Sequence, residues 1–379
     1  MFDFQDIVGQ QGPIQRLQNY AAQGTVPHAL LFCGPEGTGK LQTAIAFASY
    51  LLCGNRDKGA DSCGNCPSCY KMARLVHPDL HFVFPVINKG GSVNPTQCDD
   101  EIATWREFLL ENSYFGLEDW VNALDSSGKQ AQIPTKEKDV ISAKLALKST
   151  EGGYKVMIIW HPERMHPNCA NSLLKILEEP PSGTVFILVT DSPDQVLGTI
   201  VSRTQMIEFR RIPEETIAAR LMGQGYMLPP DQANYIAHLS AGSWNNALKM
   251  IRINEESGEF LEQFMFFMRS AYAKRVKELK IQSETLAAKG REWQKRYLSY
   301  CQRMIRENFI YNFHQPGLTF LTEEEKTFSA RFAPFVNENN IIGLMEELSL
   351  AQSEIEQNVN SKMVFFDLAL KTIVLIKQR

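Results

Sequence analysis

The sequence predicts an α/β core built on a mostly parallel sheet, followed by a region made of helices alone. Short apolar runs rich in β-branched and aromatic residues predict five strands, at 29–32, 80–84, 156–160, 185–190 and 206–209. Helical patterns at 41–52 and 168–177 separate several of these strands, and such alternation indicates a parallel sheet covered on both faces. From Pro213 onward only helical periodicity remains.

The composition is that of an ordinary globular protein with more than one domain. The chain has 379 residues, of which 44% are hydrophobic and 22% charged. Its 39 Lys and Arg against 43 Asp and Glu give a net charge of −4, so no global basic field indicates nucleic-acid binding. The first ten residues lack signal-peptide character, and no apolar run approaches the roughly 20 residues that span a bilayer. We expect a cytoplasmic protein that does not associate with membranes.

The segment 34–40 has the G-x-x-x-x-G-K spacing of a phosphate-binding loop. It follows a predicted strand and precedes a predicted helix, which is the context that makes this motif credible. Its glycines allow backbone N–H groups to face phosphate oxygens, and its lysine can reach the β- and γ-phosphates. The predicted nucleotide contacts are Gly34, Gly37, Gly39 and Lys40. The next residue should carry a hydroxyl for Mg²⁺ but is Leu41, so the loop is degenerate.

The carboxylates that would hold Mg²⁺ are also missing from the predicted strand 156–160. In active P-loop ATPases an acidic residue ends this buried strand, whereas here the strand runs into Trp160 and His161. We interpret His161 as structural. Glu163 lies beyond the strand end, and we interpret it as a helix-start or surface carboxylate.

Several stretches of the sequence resemble a known family. MIIWHPERMHPNCANSLLKILEEPP at 157–181, followed by Ser202-Arg203-Thr204, resembles the clamp-loader branch of the AAA+ family. The run IEQNVNSKMVFFDLAL at 355–370 and a cluster of cysteines narrow this resemblance to the delta-prime family of bacterial DNA polymerase III. The resemblance covers nearly the whole chain apart from an insertion near 88–150, which we interpret as polar around 88–95 and 126–135.

The resemblance implies a three-domain subunit of a pentameric ring. It places an AAA+ nucleotide-binding-like core at 1–212, a helical lid at 213–253 and a helical collar for oligomerisation at 254–379. In such rings the ATP sites lie between subunits, and the Ser-Arg-Cys motif of one subunit points into the neighbour's site. Arg203 occupies the Arg position, with Thr204 replacing the usual Cys. Arg203 is therefore the expected catalytic residue, acting in trans as an arginine finger.

The predicted lid departs from active family members in one more respect. The segment 242–248 resembles the family's sensor-2 segment, where active members carry an Arg at about the position of Asn245. The Mg²⁺ hydroxyl, the acidic pair and the sensor Arg are thus all absent. Three losses that affect one reaction predict that this subunit does not hydrolyse ATP and binds ATP or ADP weakly or not at all.

Half of the cysteines crowd into the segment 53–69. The spacing of Cys53, Cys63, Cys66 and Cys69 supplies the four thiolates of a closed structural zinc site. A redox Cys-x-x-Cys is the main rival, but two overlapping pairs and a fourth cysteine favour zinc. Cys33, Cys98, Cys169 and Cys301 match no pattern and are predicted to be packing or surface residues.

The segment 271–306 holds ten Lys and Arg against three Glu, with Trp293, Tyr297 and Tyr300 among them. It could follow DNA phosphates, but the solvated face of a collar helix is the favoured interpretation. We therefore expect a non-hydrolysing clamp-loader subunit that helps load the sliding clamp onto primed DNA, with gamma/tau and delta subunits as partners. The alternatives are an active gamma-type clamp-loader ATPase and a zinc-containing DNA-binding module on a vestigial AAA+ fold.

Overall fold

The chain folds into two compact units, Met1–Met250 and Ile251–Arg379. The computed structural model describes residues 3–56, 61–89, 95–124, 130–151, 153–223, 225–313, 321–357 and 359–378. The three-domain division stays a prediction, since the predicted core and most of the predicted lid fall together in the first unit.

The first unit contains a parallel sheet of five strands within the described residues. The strands are β1 (Ala29–Cys33), β2 (Leu80–Val83), β3 (Lys155–Trp160), β4 (Thr184–Thr190) and β5 (Gln205–Glu208). Their order across the sheet is β2-β3-β4-β1-β5, and every neighbouring pair is parallel. Because β1 lies between β4 and β5, the turn that follows β1 emerges at the carboxyl edge with neighbours on both sides. The predicted α/β fold class with a helical C-terminal region is confirmed.

Helices cover the sheet and extend the first unit. They are α1 (Gln11–Ala22), α2 (Lys40–Leu52), α3 (Pro67–Met72), α4 (Ile102–Glu111), α5 (Leu117–Ala123), α6 (Glu137–Ala146), α7 (Pro167–Glu178), α8 (Gly198–Val201), α9 (Glu214–Met222), α10 (Pro230–Leu239) and α11 (Trp244–Tyr272), the last of which continues into the second unit. The predicted helix at 168–177 is α7, which ends before Pro180 because proline cannot continue a helix. The bounds of the five strands, α2 and α7 differ from the predicted ones by at most one residue.

The predicted insertion near 88–150 has a packed interior. Its helices α4, α5 and α6 bury Trp105 and Trp120 completely, and the ring of Trp105 stacks on Phe84 with centroids 4.4 Å apart. Parts of the two segments interpreted as polar lie outside the described residues. Gln132 and Ile133, within the second segment, form backbone bridges to Val86 and Met165 and so tie the insertion to the sheet region.

The second unit is helical throughout its described residues, with its own apolar core. After the end of α11 come α12 (Val276–Ala288), α13 (Arg291–Tyr311), α14 (Glu323–Phe332), α15 (Ile341–Glu356) and α16 (Ser361–Leu375). Phe264, Leu298 and Phe365 are fully buried in this core. The helix α14 begins with a reciprocal cap, in which the Thr322 hydroxyl and the Glu325 carboxylate each accept from the other's backbone N–H. No helix in the described part of the chain is both long enough and apolar enough to cross a bilayer.

Candidate functional site

The phosphate loop follows β1 and leads into α2, as predicted. Gly34, Gly37 and Gly39 have φ values of 143°, 76° and 86°, a region that favours glycine. A Cβ at Gly34 would overlap the carbonyl oxygen of Phe209. The loop thus keeps the glycine-dependent shape of a phosphate-binding turn.

Lys40, the lysine of this loop, is only 4% exposed and bonds to the protein itself. Its Nζ donates to the carbonyl oxygens of Gly34 at 2.8 Å and Pro35 at 2.5 Å. It also forms an ion pair with Asp191 Oδ1 at 2.7 Å. A fourth acceptor, Thr38 Oγ1, lies at 3.4 Å, so the three protons of the ammonium group all have protein acceptors within reach.

Asp191, whose side chain is 26% exposed, belongs to a polar network at the carboxyl ends of β3 and β4. Its other carboxylate oxygen lies 3.7 Å from His161 Nε2, and His161 Nδ1 lies 2.7 Å from Glu163 Oε1. The Thr190 hydroxyl donates to Glu163 Oε2 at 2.8 Å. Glu163 does lie in a short 3-10 helix, but the interpretation of a surface carboxylate is wrong because its side chain is only 4% exposed. His161 pairs with Glu163, which supports its structural interpretation.

The start of α11 packs directly on the phosphate loop. The Trp244 backbone N–H donates to the Gly37 carbonyl at 2.9 Å, and a Cβ at Gly37 would overlap Ser243 Oγ. Asn245 Nδ2 donates to Glu36 Oε1 at 3.0 Å. The residue at the predicted sensor position therefore holds the loop's own carboxylate. Leu41 is buried in the apolar core and offers no metal ligand.

Arg203 lies in the turn between α8 and β5. Its Nε donates to Glu178 Oε1 at 2.9 Å and its Nη1 to the Thr199 carbonyl at 2.9 Å, while its side chain remains 35% exposed. In the sheet Gln205 pairs with Leu30, so Arg203 precedes β5 at the amino edge, whereas Gly34 follows β1 at the carboxyl edge. Four residues of strand, about 13 Å, separate those two levels. Arg203 and this chain's own phosphate loop are thus at opposite edges of the sheet.

The four predicted cysteine ligands come together. Cys53 follows α2, Cys63 lies in the connecting loop, and Cys66 and Cys69 lie at the start of α3, with all four sulfur atoms within 4.8 Å of one another. Among the described residues this is the one cluster of three or more His, Cys, Asp or Glu donors close enough to share a metal. Four sulfurs at about 2.3 Å from one tetrahedral ion would be roughly 3.8 Å apart. The observed Sγ–Sγ separations of 3.5 Å for Cys66–Cys69 and 3.9 Å for Cys63–Cys69 fit that arrangement.

Backbone N–H groups also favour thiolates at this cluster. The N–H groups of Asn55 and Cys63 both donate to Cys53 Sγ at 3.4 Å. The backbone N–H of Asn65 lowers the pKa of the Cys63 thiol to about 6, whereas burial raises the pKa of Cys53 and of Cys69. The donor set therefore fits a structural zinc ion, which would supply the positive charge that buried thiolates require. The other four cysteines are buried packing residues.

The basic segment 271–306 does not form an aromatic platform for nucleic acid. Tyr297 and Tyr300 are 2% and 7% exposed and belong to the core of the second unit. Several of its cations pair with nearby carboxylates: Arg275 with Glu278, Lys289 with Glu259 and Arg303 with Glu325. These contacts support the interpretation of a charged helical face.

The sequence profile of the family described as "DNA polymerase III, delta subunit" matches residues 9–213, more than half of the chain. The chain belongs to this family. Its relatives include the DNA polymerase III subunit delta' of Bacillus subtilis (strain 168), 31% identical over 246 residues that cover 65% of this chain and 59% of the relative. The DNA polymerase III subunit tau of the same organism is 27% identical over 65% of this chain and 37% of its own length. The chain thus spans less than two thirds of the length of either curated relative.

Solved structures give a weaker likeness. A DNA polymerase III gamma subunit-related protein of Thermotoga maritima is 13% identical, with a TM-score of 0.34 over 96% of this chain and 100% of the other. A likeness at that level carries no argument about function. Membership of the DNA polymerase III delta family therefore rests on the sequence, and it confirms the resemblance carried by 157–181 and the cysteine cluster.

Proposed function

We propose that this chain is a non-hydrolysing delta-prime subunit of a clamp loader, which helps load the sliding clamp onto primed DNA. The observation that carries the proposal is the ion pair between Lys40 and Asp191, because these protein acceptors compete with a γ-phosphate for the protons of the Lys40 ammonium. Leu41 and Asn245 add to it, since neither can replace the Mg²⁺ hydroxyl or the sensor Arg.

Arg203 is proposed to act in the ATP site of a neighbouring subunit. Its position at the amino edge of the sheet keeps it away from this chain's own loop, and its side chain remains accessible. A guanidinium that contacts a γ-phosphate stabilises the charge that develops during phosphoryl transfer. The proposed neighbours are the gamma/tau and delta subunits of a pentameric ring, and the proposed role of the cysteine cluster is to hold one structural zinc ion.

The test of this role reconstitutes the complex with gamma/tau and delta subunits, sliding clamp and primed DNA. Arg203→Ala should lower clamp loading about tenfold or more and reduce DNA-stimulated ATP turnover. Arg210→Ala is the matched control, because Arg210 lies just after β5, its side chain is 84% exposed, and its ion pair with Glu208 is long, at 4.0 Å. Equal activity of Arg203→Ala and Arg210→Ala would refute the arginine finger.

The purified chain provides a second test. We expect no magnesium-dependent ATP turnover by the wild-type chain alone, with the Lys40→Ala variant as the background control. Turnover that Lys40→Ala abolishes would establish an active ATPase and refute the proposal.

A further inference from the structure

The connection between α4 and α5 lies across the phosphate loop. We call residues 113–119, which comprise most of this connection and the first residues of α5, the clasp segment. Tyr114, in this segment, is 7% exposed, and its Oη accepts a hydrogen bond from the Val8 backbone N–H at 3.2 Å. The same Oη is so near Gly39 that an added Cβ there would lie 3.2 Å from it. The side-chain amide of Gln42, in the first turn of α2, donates to the Ser113 carbonyl.

The clasp segment also fixes the one carboxylate of the phosphate loop. A Cβ at Gly116 would overlap Glu36 Oε1, so the glycine allows the Glu36 side chain to lie directly against the clasp backbone. From its other side Glu36 accepts the hydrogen bond of Asn245 at the start of α11. Glu36 is therefore held between the clasp segment and α11.

The clasp segment also contacts α11 directly. Asp119 Oδ1 lies 3.0 Å from Lys249 Nζ, and the rings of Tyr114 and Trp244 meet edge to face at 6.4 Å. Asp119 is oriented for this contact because its Oδ2 accepts the Gly116 backbone N–H at 2.8 Å and caps α5. The two charged side chains are 29% and 41% exposed, so they can be changed without opening the core.

The clasp segment is itself rigidly supported. Phe115 packs on Trp160, the last residue of β3, with ring centroids 5.3 Å apart. Trp120, fully buried, donates from Nε1 to the Pro85 carbonyl at 2.8 Å. Buried aromatic rings and a satisfied indole N–H stabilise this position of the connection.

We propose that the clasp segment fastens the start of α11 to the phosphate loop and thereby does, in cis, what a bound nucleotide would otherwise do. This inference rests on the proposed non-hydrolysing role and assigns a function to the insertion. Protein groups join loop and lid at Glu36, Tyr114 and Asp119, so their closed arrangement requires no ligand. A unit closed in this way has no nucleotide-dependent opening, because no ligand discriminates between two states.

The test is amide hydrogen exchange on the full-length chain. The variant Tyr114→Phe/Lys249→Gln removes the acceptor of the Val8 N–H and the ion pair while leaving the aromatic packing in place. Exchange should become about tenfold faster in 34–43 and 243–250 and stay unchanged in β3, which meets the clasp segment through Phe115, a residue that the variant leaves in place. Lys249→Arg should retain the wild-type rates because it retains the charge.

Two further variants control for nonspecific effects. Tyr235→Phe changes an exposed tyrosine of α10, and Asn246→Ala changes an exposed residue of α11, so both should leave exchange at wild-type rates. Unchanged exchange in Tyr114→Phe/Lys249→Gln, or equal acceleration in β3, would overturn the clasp. The proposed function is judged separately by Arg203→Ala and by ATP turnover of the wild-type chain, so each proposal can fail without the other.

Discussion

Arg203 Nε and Glu178 Oε1 form a hydrogen bond of 2.9 Å that joins the turn before β5 to the last residue of α7. The arginine side chain is thereby held in one orientation while its guanidinium keeps access to solvent. A guanidinium positioned in advance loses less conformational entropy when it meets a phosphate.

Glu178→Gln should impair the complex more than it impairs the fold. An ion pair this exposed contributes about 1 kcal/mol or less to the free energy of unfolding, so the melting temperature should change little. Clamp loading by the reconstituted complex should fall severalfold because a neutral amide holds the Arg203 guanidinium less firmly than the carboxylate does. Glu179→Gln, at the adjacent exposed carboxylate, is the matched control. Glu178→Gln that loads clamps at the wild-type rate would show that Arg203 needs no positioning.

Replacing Asp191 should show how much an unpaired buried lysine lowers the free energy of unfolding. Asp191→Asn leaves the Lys40 ammonium without its anionic partner, and we expect a loss of about 2 kcal/mol in the free energy of unfolding of the first unit. Adding Lys40→Met should recover part of that loss. Denaturant titration of the wild type, both single variants and the double variant yields the coupling free energy between Lys40 and Asp191. Asp194→Asn, an exposed carboxylate three residues away, should have no effect. If the two substitutions changed the free energy of unfolding additively, the ion pair between Lys40 and Asp191 would not contribute to stability.

Removing the proposed zinc ion should destabilise the first unit. We expect elemental analysis to find one equivalent of zinc in the wild-type chain and none in Cys66→Ala. The substitution should lower the melting temperature by about 5 °C, because a loss of about 2 kcal/mol shifts a unit of this size by that amount. Cys301→Ala, at a buried cysteine of the second unit, should retain the metal. Wild-type chain that contains no metal, with all four clustered thiols titrating freely, would refute the zinc site.

The first unit should lose stability in mild acid through His81. Burial, together with the nearby Lys144 and Lys155, lowers the pKa of His81 in β2 to about 4. The unfolded chain protonates this imidazole below about pH 6.5 and the folded chain does not until about pH 4, so the His81 contribution is complete above pH 6.5 and declines between those values. Between pH 6.5 and pH 4, His81→Gln should therefore lose about 1–3 kcal/mol less free energy of unfolding than the wild type.

The matched control for this pH dependence is His238→Gln, because His238 is 74% exposed. Tryptophan fluorescence reports on the first unit, which holds four of the five tryptophans. A wild-type pH profile in His81→Gln would show that the histidine ionises equally in both states.

Local sequence patterns were sufficient for the strands, α7, the phosphate loop and the cysteine cluster, because each depends on residues close together in the chain. The contacts that close the phosphate loop were not predictable in this way. Lys40 and Asp191 are 151 positions apart, and Glu36 and Asn245 are 209 apart, so only the strand order and the helix packing bring them together.

The insertion shows the same limit. Its charged and glycine-containing segments suggest a polar excursion, yet Trp105 and Trp120 anchor it against Phe84 and the Pro85 carbonyl. A single apolar residue in a short amphipathic helix does not reveal which surface it covers, so the contacts of the insertion could be found only in three dimensions.

Arg203 lies at the amino edge of the sheet, and the phosphate loop, which is occupied by contacts with protein groups, lies at the carboxyl edge. The two faces that the proposed subunit presents to its neighbours in a ring are therefore different. Such a chain can complete a neighbour's site on one side and offers no working site to the neighbour on its other side. In a closed ring it would therefore mark a terminus, so that a series of ATP sites has a first and a last member even though the ring itself has no end.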